Sequence, residues 1–245
     1  MNLIVLPSVD STNNYLQSLL SQDLVSEGTM VIALEQTAGR GQRGNDWESL
    51  AGAGLYASVL LQPPSWTVEK QFDLNKAIAC AVARYIEAPL GREVKIKWPN
   101  DILIDNQKVA GILVENILRG HRVSAVIAGI GINLNQTSFS HPFETPATSL
   151  RMETGRTYDP ESEAPELFRE IWADYKNLQS GETVLLHEHY RHRLYKRGET
   201  ALFKTDEHIF SGTLIDVNHE GAALVEADGA ILRLRHPQSR FHTGN

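Results

Sequence analysis

The chain has one cysteine in 245 residues, Cys80, and it lies inside the apolar stretch Ala77-Ile78-Ala79-Cys80-Ala81-Val82-Ala83. Neither a disulfide framework nor a cysteine-based metal site can be built from it, so a buried core thiol is expected. No block of five or six like charges occurs, and 23 basic against 30 acidic residues leave a formal charge of -7. Such a chain offers no basic face to a phosphate backbone, and nucleic acid is not an expected partner. No segment approaches the ~18 apolar residues of a spanning helix. Met1-Asn2-Leu3-Ile4-Val5 lacks the basic-then-apolar order of a secretory leader. A soluble, cytoplasmic protein with no membrane partner is therefore expected. Repeats and low-complexity segments are also missing, while a hydrophobic content of 42% predicts an ordinary globular core.

What is present reads as an α+β chain. Leu3 to Leu6 predicts a short strand, and Asp10-Ser11-Thr12-Asn13-Asn14 supplies capping groups for a helix carrying Tyr15, Leu16, Leu19 and Leu20. Strands are predicted over Thr29–Leu34 and Gly54–Gln62, with Pro63-Pro64 separating the latter from a buried helix over Phe72–Glu87. Val94–Lys97, Lys108–Ile117 and Val123–Asn133 read as an antiparallel run, with turn chemistry at Asp105-Asn106-Gln107. Gln136–Arg156 reads as irregular, Glu163–Gln179 as a helix, and a second helix runs through His187–Leu194. After Gly198 four short β runs, Ala201–Lys204, Ile209–Val217, Ala222–Glu226 and Ala230–Leu234, predict a small β module. The expected division is a main domain over 1–195 and the β module over 196–245.

Four segments could carry chemistry. Gly39-Arg40-Gly41-Gln42-Arg43-Gly44 combines close-approach glycines with two permanent cations, which suits an anion, although a solvated turn has the same composition. Lys97-Trp98-Pro99-Asn100-Asp101 puts a lysine, an amide and a carboxylate at a bend, either as a site or as a self-satisfied turn. Lys108 opens the apolar strand Lys108-Val109-Ala110-Gly111-Ile112-Leu113-Val114-Glu115, where a strand-end lysine can also simply snorkel. Gly129-Ile130-Gly131-Ile132-Asn133 lacks the third glycine and the helix of a dinucleotide fingerprint; its glycines imply close backbone approach by a ligand or a neighbour.

Taken in order with Ser11-Thr12-Asn13 and Gln36, these segments resemble the biotin protein ligases over Leu3 to Asn135, and the Trp-Pro-Asn-Asp segment followed by the lysine-initiated strand is the specific part. The resemblance implies a mixed, largely antiparallel sheet flanked by helices, as in class II synthetases and biotin ligases, with a C-terminal SH3-like barrel. It implies ATP with Mg2+, biotin as substrate, and no tightly bound prosthetic group or dedicated protein metal site. The implied partner is a biotin carboxyl carrier protein, that of acetyl-CoA carboxylase being the usual one; monomer and homodimer both occur in the family.

By the same resemblance Ser11, Thr12, Asn13 and Gln36 would bind biotin's ureido head, with Gly39, Arg40, Gly41, Lys108 and Gly111 completing that site. Arg40, Gln42, Arg43, Trp47, Lys97, Asn100, Asp101 and Asn133 would serve ATP. Arg40 and Lys108 would act electrostatically on phosphate and carboxylate, and Asp101 would orient or deprotonate the acceptor amine. One departure stands out: Gln42 occupies a position where most relatives have arginine, which puts retention of the adenylate in doubt unless Arg43 substitutes. The match begins within ten residues of Met1, so a monofunctional type without a DNA-binding domain is expected. Two rivals remain open, a lipoate or octanoate ligase on the same fold and a non-catalytic biotin sensor.

Overall fold

The computed structural model describes residues 1–63, 71–119, 122–139 and 145–242, the side chains of Arg43 and Arg122 excepted. Pro64, part of the stretch expected to be irregular (140–144), and the Arg43 side chain therefore lie outside the described residues.

Seven strands form the main sheet. They are β1 (Asn2–Leu6), β2 (Thr29–Ala33), β3 (Gly54–Leu61), β4 (Lys95–Lys97), β5 (Asp101–Ile104), β6 (Gln107–Arg119) and β7 (Arg122–Asn133), in the order β1-β2-β3-β7-β6-β5-β4. Only the β1–β2 pairing is parallel, so the expected mixed, largely antiparallel sheet is present. Strand side chains alternate between faces. On one face Leu55, Ala57, Val59, Val126, Ala128, Ile130 and Ile132 join the main core beneath α2 (Gln71–Leu90) and α4 (Pro160–Gln179). On the other, Val31, Leu60, Ala125 and Ile127 pack with Leu16 of α1 (Thr12–Ser21). Cys80 is buried in α2, as its apolar neighbours predict.

Three local predictions need correction. Asp101 is not merely part of a bend but opens β5, a four-residue strand whose start hid behind Pro99. Asp105 and Asn106, both at positive φ, then make the tight turn into β6 that their side chains tolerate. The stretch read as irregular contains a short helix, α3 (Leu150–Thr154), capped by Ser149 and closed by Gly155 at φ 72°. The C-terminal module holds five strands, not four: β8 (Thr200–Thr205), β9 (Ile209–Val217), β10 (Ala223–Ala227), β11 (Ala230–Leu234) and the unpredicted β12 (Ser239–Phe241), ordered β11-β10-β9-β8-β12. Its pairings are all antiparallel. The second helix, α5 (Thr183–Arg193), precedes it.

The module is pinned to the main sheet by two buried side chains. Trp98, 1% exposed, donates its indole N–H to the Gly221 carbonyl at 2.9 Å. Lys76 of α2, 2% exposed, donates to the Asn218 carbonyl at 3.2 Å and lies over the rings of Phe72 and Tyr190. Burial lowers the affinity of that ammonium for its proton.

Candidate active site

Antiparallel register assembles the site from segments far apart in sequence. Lys97 pairs with Asp101, Asp101 with Gly111, Gly111 with Gly131, and Gly131 with Tyr56, giving one row across five strands. Directly paired residues share a face. The next row along places Leu113, Gly129 and Ser58 together, and the third Glu115, Ile127 and Leu60. The glycines leave a hollow in that face, and α1 begins at its edge.

The hollow's floor is polar and extensively hydrogen-bonded. Ser11, Thr12 and Asn13 are each 3% exposed. Ser11 holds the N-cap position of α1 as predicted, but its hydroxyl makes no cap bond; instead Gln36 Oε1 accepts the Thr12 N–H at 2.8 Å. Ser58, buried in β3, lies 2.7 Å from Thr12 Oγ1 and 2.5 Å from Asn13 Oδ1. Asn13 donates to Glu115 at 2.6 Å, and Gly129 is required below it, since a Cβ there would sit 2.5 Å from Asn13 Oδ1.

The glycine and arginine loop is folded on itself. Gly41 donates to Asn45 at 2.7 Å and Trp47 to Gly39 at 2.9 Å, around a single 3-10 turn over Gln42–Gly44. Gly39 is demanded by close approach: a Cβ would fall 2.7 Å from the Trp47 carbonyl oxygen. The Trp47 ring lies flat on Gly111 and Gly131, where added Cβ atoms would be 2.7 and 2.5 Å from it. Its indole N–H and the Gln42 Oε1 are buried with no partner among the described residues. Tyr56 anchors the segment that follows, accepting the Leu50 N–H at 3.1 Å, and burial raises its hydroxyl above the ordinary range.

Two cations flank the hollow. Arg40 Nη2 contacts both Glu115 carboxylate oxygens, at 3.0 and 3.1 Å. Lys108 Nζ lies 2.7 Å from Asp101 Oδ1 and 5.2 Å from the Trp47 ring centroid. Beyond them opens a second cavity of about 480 Å³, whose walls include Asn100, Asp101, Lys97 and Asn133. The hollow itself is only about 50 Å³ as it stands, because the Trp47 ring occupies it.

Of the predicted residues, Ser11, Thr12, Asn13, Gln36, Arg40, Gly41, Lys108 and Gly111 line the hollow, and Gln42, Trp47, Lys97, Asn100, Asp101 and Asn133 line the larger cavity. Gly39 backs the loop through its contacts with Gln36 and Trp47. Two amides and a lysine bond locally: Asn100 donates to the Ile112 carbonyl at 2.7 Å, Asn133 to that of Thr148 at 3.0 Å, and the Lys97 ammonium to Thr145 Oγ1 at 2.6 Å. Sequence reasoning missed Ser58, which carries no motif of its own, and gave no role to Glu115, although it closes the lysine-initiated strand motif. It also set aside the C-terminal module, yet His236, Arg240 and Phe241 line the larger cavity. His236 stands edge-on to Trp98, with centroids 6.1 Å apart. The signal was lost with β12, too short to be predicted.

A slot with a neutral polar floor, two cations at its mouth and a nucleotide-sized cavity beyond them defines an enzyme class: one that joins a small polar-headed acid to a nucleotide phosphate. Residues 5–133 match the biotin/lipoate A/B protein ligase family, and the chain belongs to that family. It is 34% identical over 238 residues to the bifunctional ligase/repressor BirA of Bacillus spizizenii, covering 95% of this chain and 72% of that one. A biotin–acetyl-CoA-carboxylase ligase of Paracoccus denitrificans is 37% identical over 162 residues, 64% of this chain and 66% of its own. The crystal structure of the Aquifex aeolicus biotin protein ligase in complex with biotin and ATP superposes with a TM-score of 0.83 at 29% identity, covering 98% of each chain.

Proposed function

We propose that the protein is an ATP-dependent biotin ligase that forms biotinyl-AMP and transfers the biotinyl group to a lysine of a carrier protein. The observation that carries this reading is the placement of Lys108 and Asp101 where the polar slot meets the larger cavity. Ser11, Thr12, Asn13 and Gln36 would satisfy a buried ureido head, a group costly to desolvate unpaired. Gly39, Gly41 and Gly111 allow close backbone approach. Trp47, Asn100 and Asn133 would take the base and ribose side of ATP, with Gln42 and Lys97 near its phosphates.

In the first step a biotin carboxylate oxygen attacks the α-phosphorus, a P–O bond forms, and the bond to pyrophosphate breaks. Two anions must meet, so Arg40 and Lys108 act by electrostatic stabilisation, and no protein nucleophile is needed. In the second step the carrier amine attacks the mixed anhydride; a C–N bond forms, AMP leaves, and Asp101 takes or orients the amine's proton. Asp46, Glu48 and Asp101 line the cavity, and one or two of these carboxylates would hold a magnesium ion brought in with the nucleotide. It would supply charge neutralisation at the phosphates.

The carrier is inferred to be the biotin carrier protein of acetyl-CoA carboxylase, the assignment that the name of the Paracoccus relative supports. Ligase activity alone is proposed, since a net charge of -7 works against binding to a phosphate backbone. No helix among the described residues is long and apolar enough to cross a membrane; a cytoplasmic location is our inference from the need for ATP. The test is pyrophosphate release from ATP and magnesium with biotin, lipoate or octanoate, with and without a carrier domain. Biotin-dependent release and a carrier mass gain equal to biotin are expected. Release driven by lipoate or octanoate would replace the reading with the related ligase, and binding of biotin without release would make the protein a sensor.

A further inference from the structure

Glu115 ends the lysine-initiated strand motif, yet nothing in the mechanism above uses it. Its carboxylate touches both halves of the site at once. One oxygen accepts from Asn13 Nδ2 at 2.6 Å, and both lie within 3.1 Å of Arg40 Nη2. The backbone fixes this arrangement, because Glu115 projects from the same face of β6 as Gly111 and Leu113, two and one rows from the mouth of the slot.

An ionised carboxylate can only accept, so the Asn13 atom facing it must be the amide nitrogen, and Asn13 Oδ1 must face Ser58. That oxygen also only accepts, so the Ser58 hydroxyl donates to it at 2.5 Å, while the Thr12 hydroxyl, 2.7 Å from Ser58 Oγ, donates to Gln36 Oε1 at 3.1 Å. The Thr12 N–H already fixes Gln36 Oε1 toward α1, which turns the Gln36 amide nitrogen to the slot. Glu115 thus sets the donor and acceptor order at the Asn13–Ser58 end of the floor, and Thr12 sets it at Gln36. A glutamine at 115 could present either a donor or an acceptor, leaving only the Leu113 carbonyl, 3.4 Å from Asn13 Nδ2, to hold that orientation.

The same carboxylate holds Arg40 through one nitrogen rather than through the two-nitrogen fork of a strong arginine–carboxylate pair. The grip orients the guanidinium toward the slot and can be exchanged for an arriving phosphate. We propose that Glu115 is a positioning residue that sets the hydrogen-bond polarity at the Asn13–Ser58 end of the head-group floor and parks Arg40 until the nucleotide arrives. This inference rests on the biotin-ligase reading.

The test compares Glu115→Gln and Glu115→Asp with wild type by biotin Kd from calorimetry, KM for ATP, and thermal midpoint. Losing a charged hydrogen-bond partner predicts a roughly tenfold weaker biotin Kd for Glu115→Gln, with KM for ATP moving less than about threefold and the midpoint little changed. Glu115→Asp keeps the charge and is expected to lose less; should one variant melt before assay, the other reads the same ratio. Biotin affinity within about twofold of wild type in Glu115→Gln, or equal losses in both variants, overturns the inference while leaving the ligase reading intact. Wild-type protein that binds no biotin overturns the ligase reading first, and this one with it.

Discussion

Lys108 Nζ and Asp101 Oδ1 are 2.7 Å apart, and both side chains are largely shielded, at 28% and 20% exposure. Two groups expected to serve different half-reactions therefore neutralise each other before substrate arrives. The bridge keeps the ammonium from being an uncompensated charge beside the Trp47 ring, and a substrate carboxylate can take over the ammonium by displacing Asp101, freeing a carboxylate for the amine step. Asp101→Asn should leave biotin-dependent pyrophosphate exchange within about tenfold of wild type and cut carrier transfer by ~100-fold or more, the range of a lost general base. Measuring the two half-reactions separately decides it, and equal losses in both would remove Asp101 from the amine step.

Ser58 is the buried hub of the floor. Replacing it by alanine leaves Asn13 Oδ1 and Thr12 Oγ1 without that partner in a site closed to water. A cost of about 1–3 kcal/mol follows, shared between folding and biotin binding. Ser58→Ala should therefore lower the thermal midpoint and weaken biotin Kd together, and calorimetry with a melting curve checks both. Unchanged biotin affinity would mean the floor is not the head-group site.

Much of this site was readable because each motif sits where register needs it. Gly111 and Gly131 are glycines because the Trp47 ring lies on them, and both stand out in the sequence as glycines inside otherwise apolar strands. The apolar, β-branched runs of β3, β6 and β7 were legible as strands, the last two as part of an antiparallel run. Ser58 escaped because a single polar residue on a strand has no local signature, and Glu115, visible at the end of its motif, was given no role because its meaning comes from Asn13, 102 residues away in sequence, as that of Ser58 comes from Asn13, 45 residues away. β5 and β12 escaped for a different reason. Four- and three-residue strands that follow closely on a proline carry too little alternation to stand out, and their pairing supplies the stability that their own sequence lacks.

Gln42 stands where the family resemblance leads one to expect an arginine, and its Oε1 is buried without a partner among the described residues. A neutral amide near the phosphate gives up the charge-assisted bond an arginine would form. Gln42→Arg should slow release of preformed biotinyl-AMP by roughly tenfold, the effect of one such hydrogen bond. Filter-binding of radiolabelled adenylate over time reads it. Tight retention by wild type that survives Arg43→Ala would show that neither side chain controls the leak.

The helical layer makes a pH prediction of definite sign. Burial pushes the Cys80 thiol up to about 12 and raises the Tyr85, Tyr175 and Tyr190 hydroxyls above their usual range. Unfolding returns them to ordinary values near 9.0 and 10.0, so above those values the unfolded chain holds fewer protons than the native one. Stability from these four groups is complete below about pH 9 and falls as pH rises through the following units. Lys76 acts the other way, since its lowered proton affinity makes the unfolded chain hold the extra proton up to 10.5, but it is one group against four. Tyr190 isolates the effect, because its hydroxyl is buried with no partner among the described residues. Tyr190→Phe removes an unsatisfied polar atom and one of the four titrations. It should be at least as stable as wild type at neutral pH, by up to ~1 kcal/mol, and lose stability less steeply above about pH 9. Urea denaturation at a series of pH values measures both terms. A Tyr190→Phe protein that is markedly less stable at neutral pH would mean that the hydroxyl has a partner, such as an ordered water, that outweighs its burial.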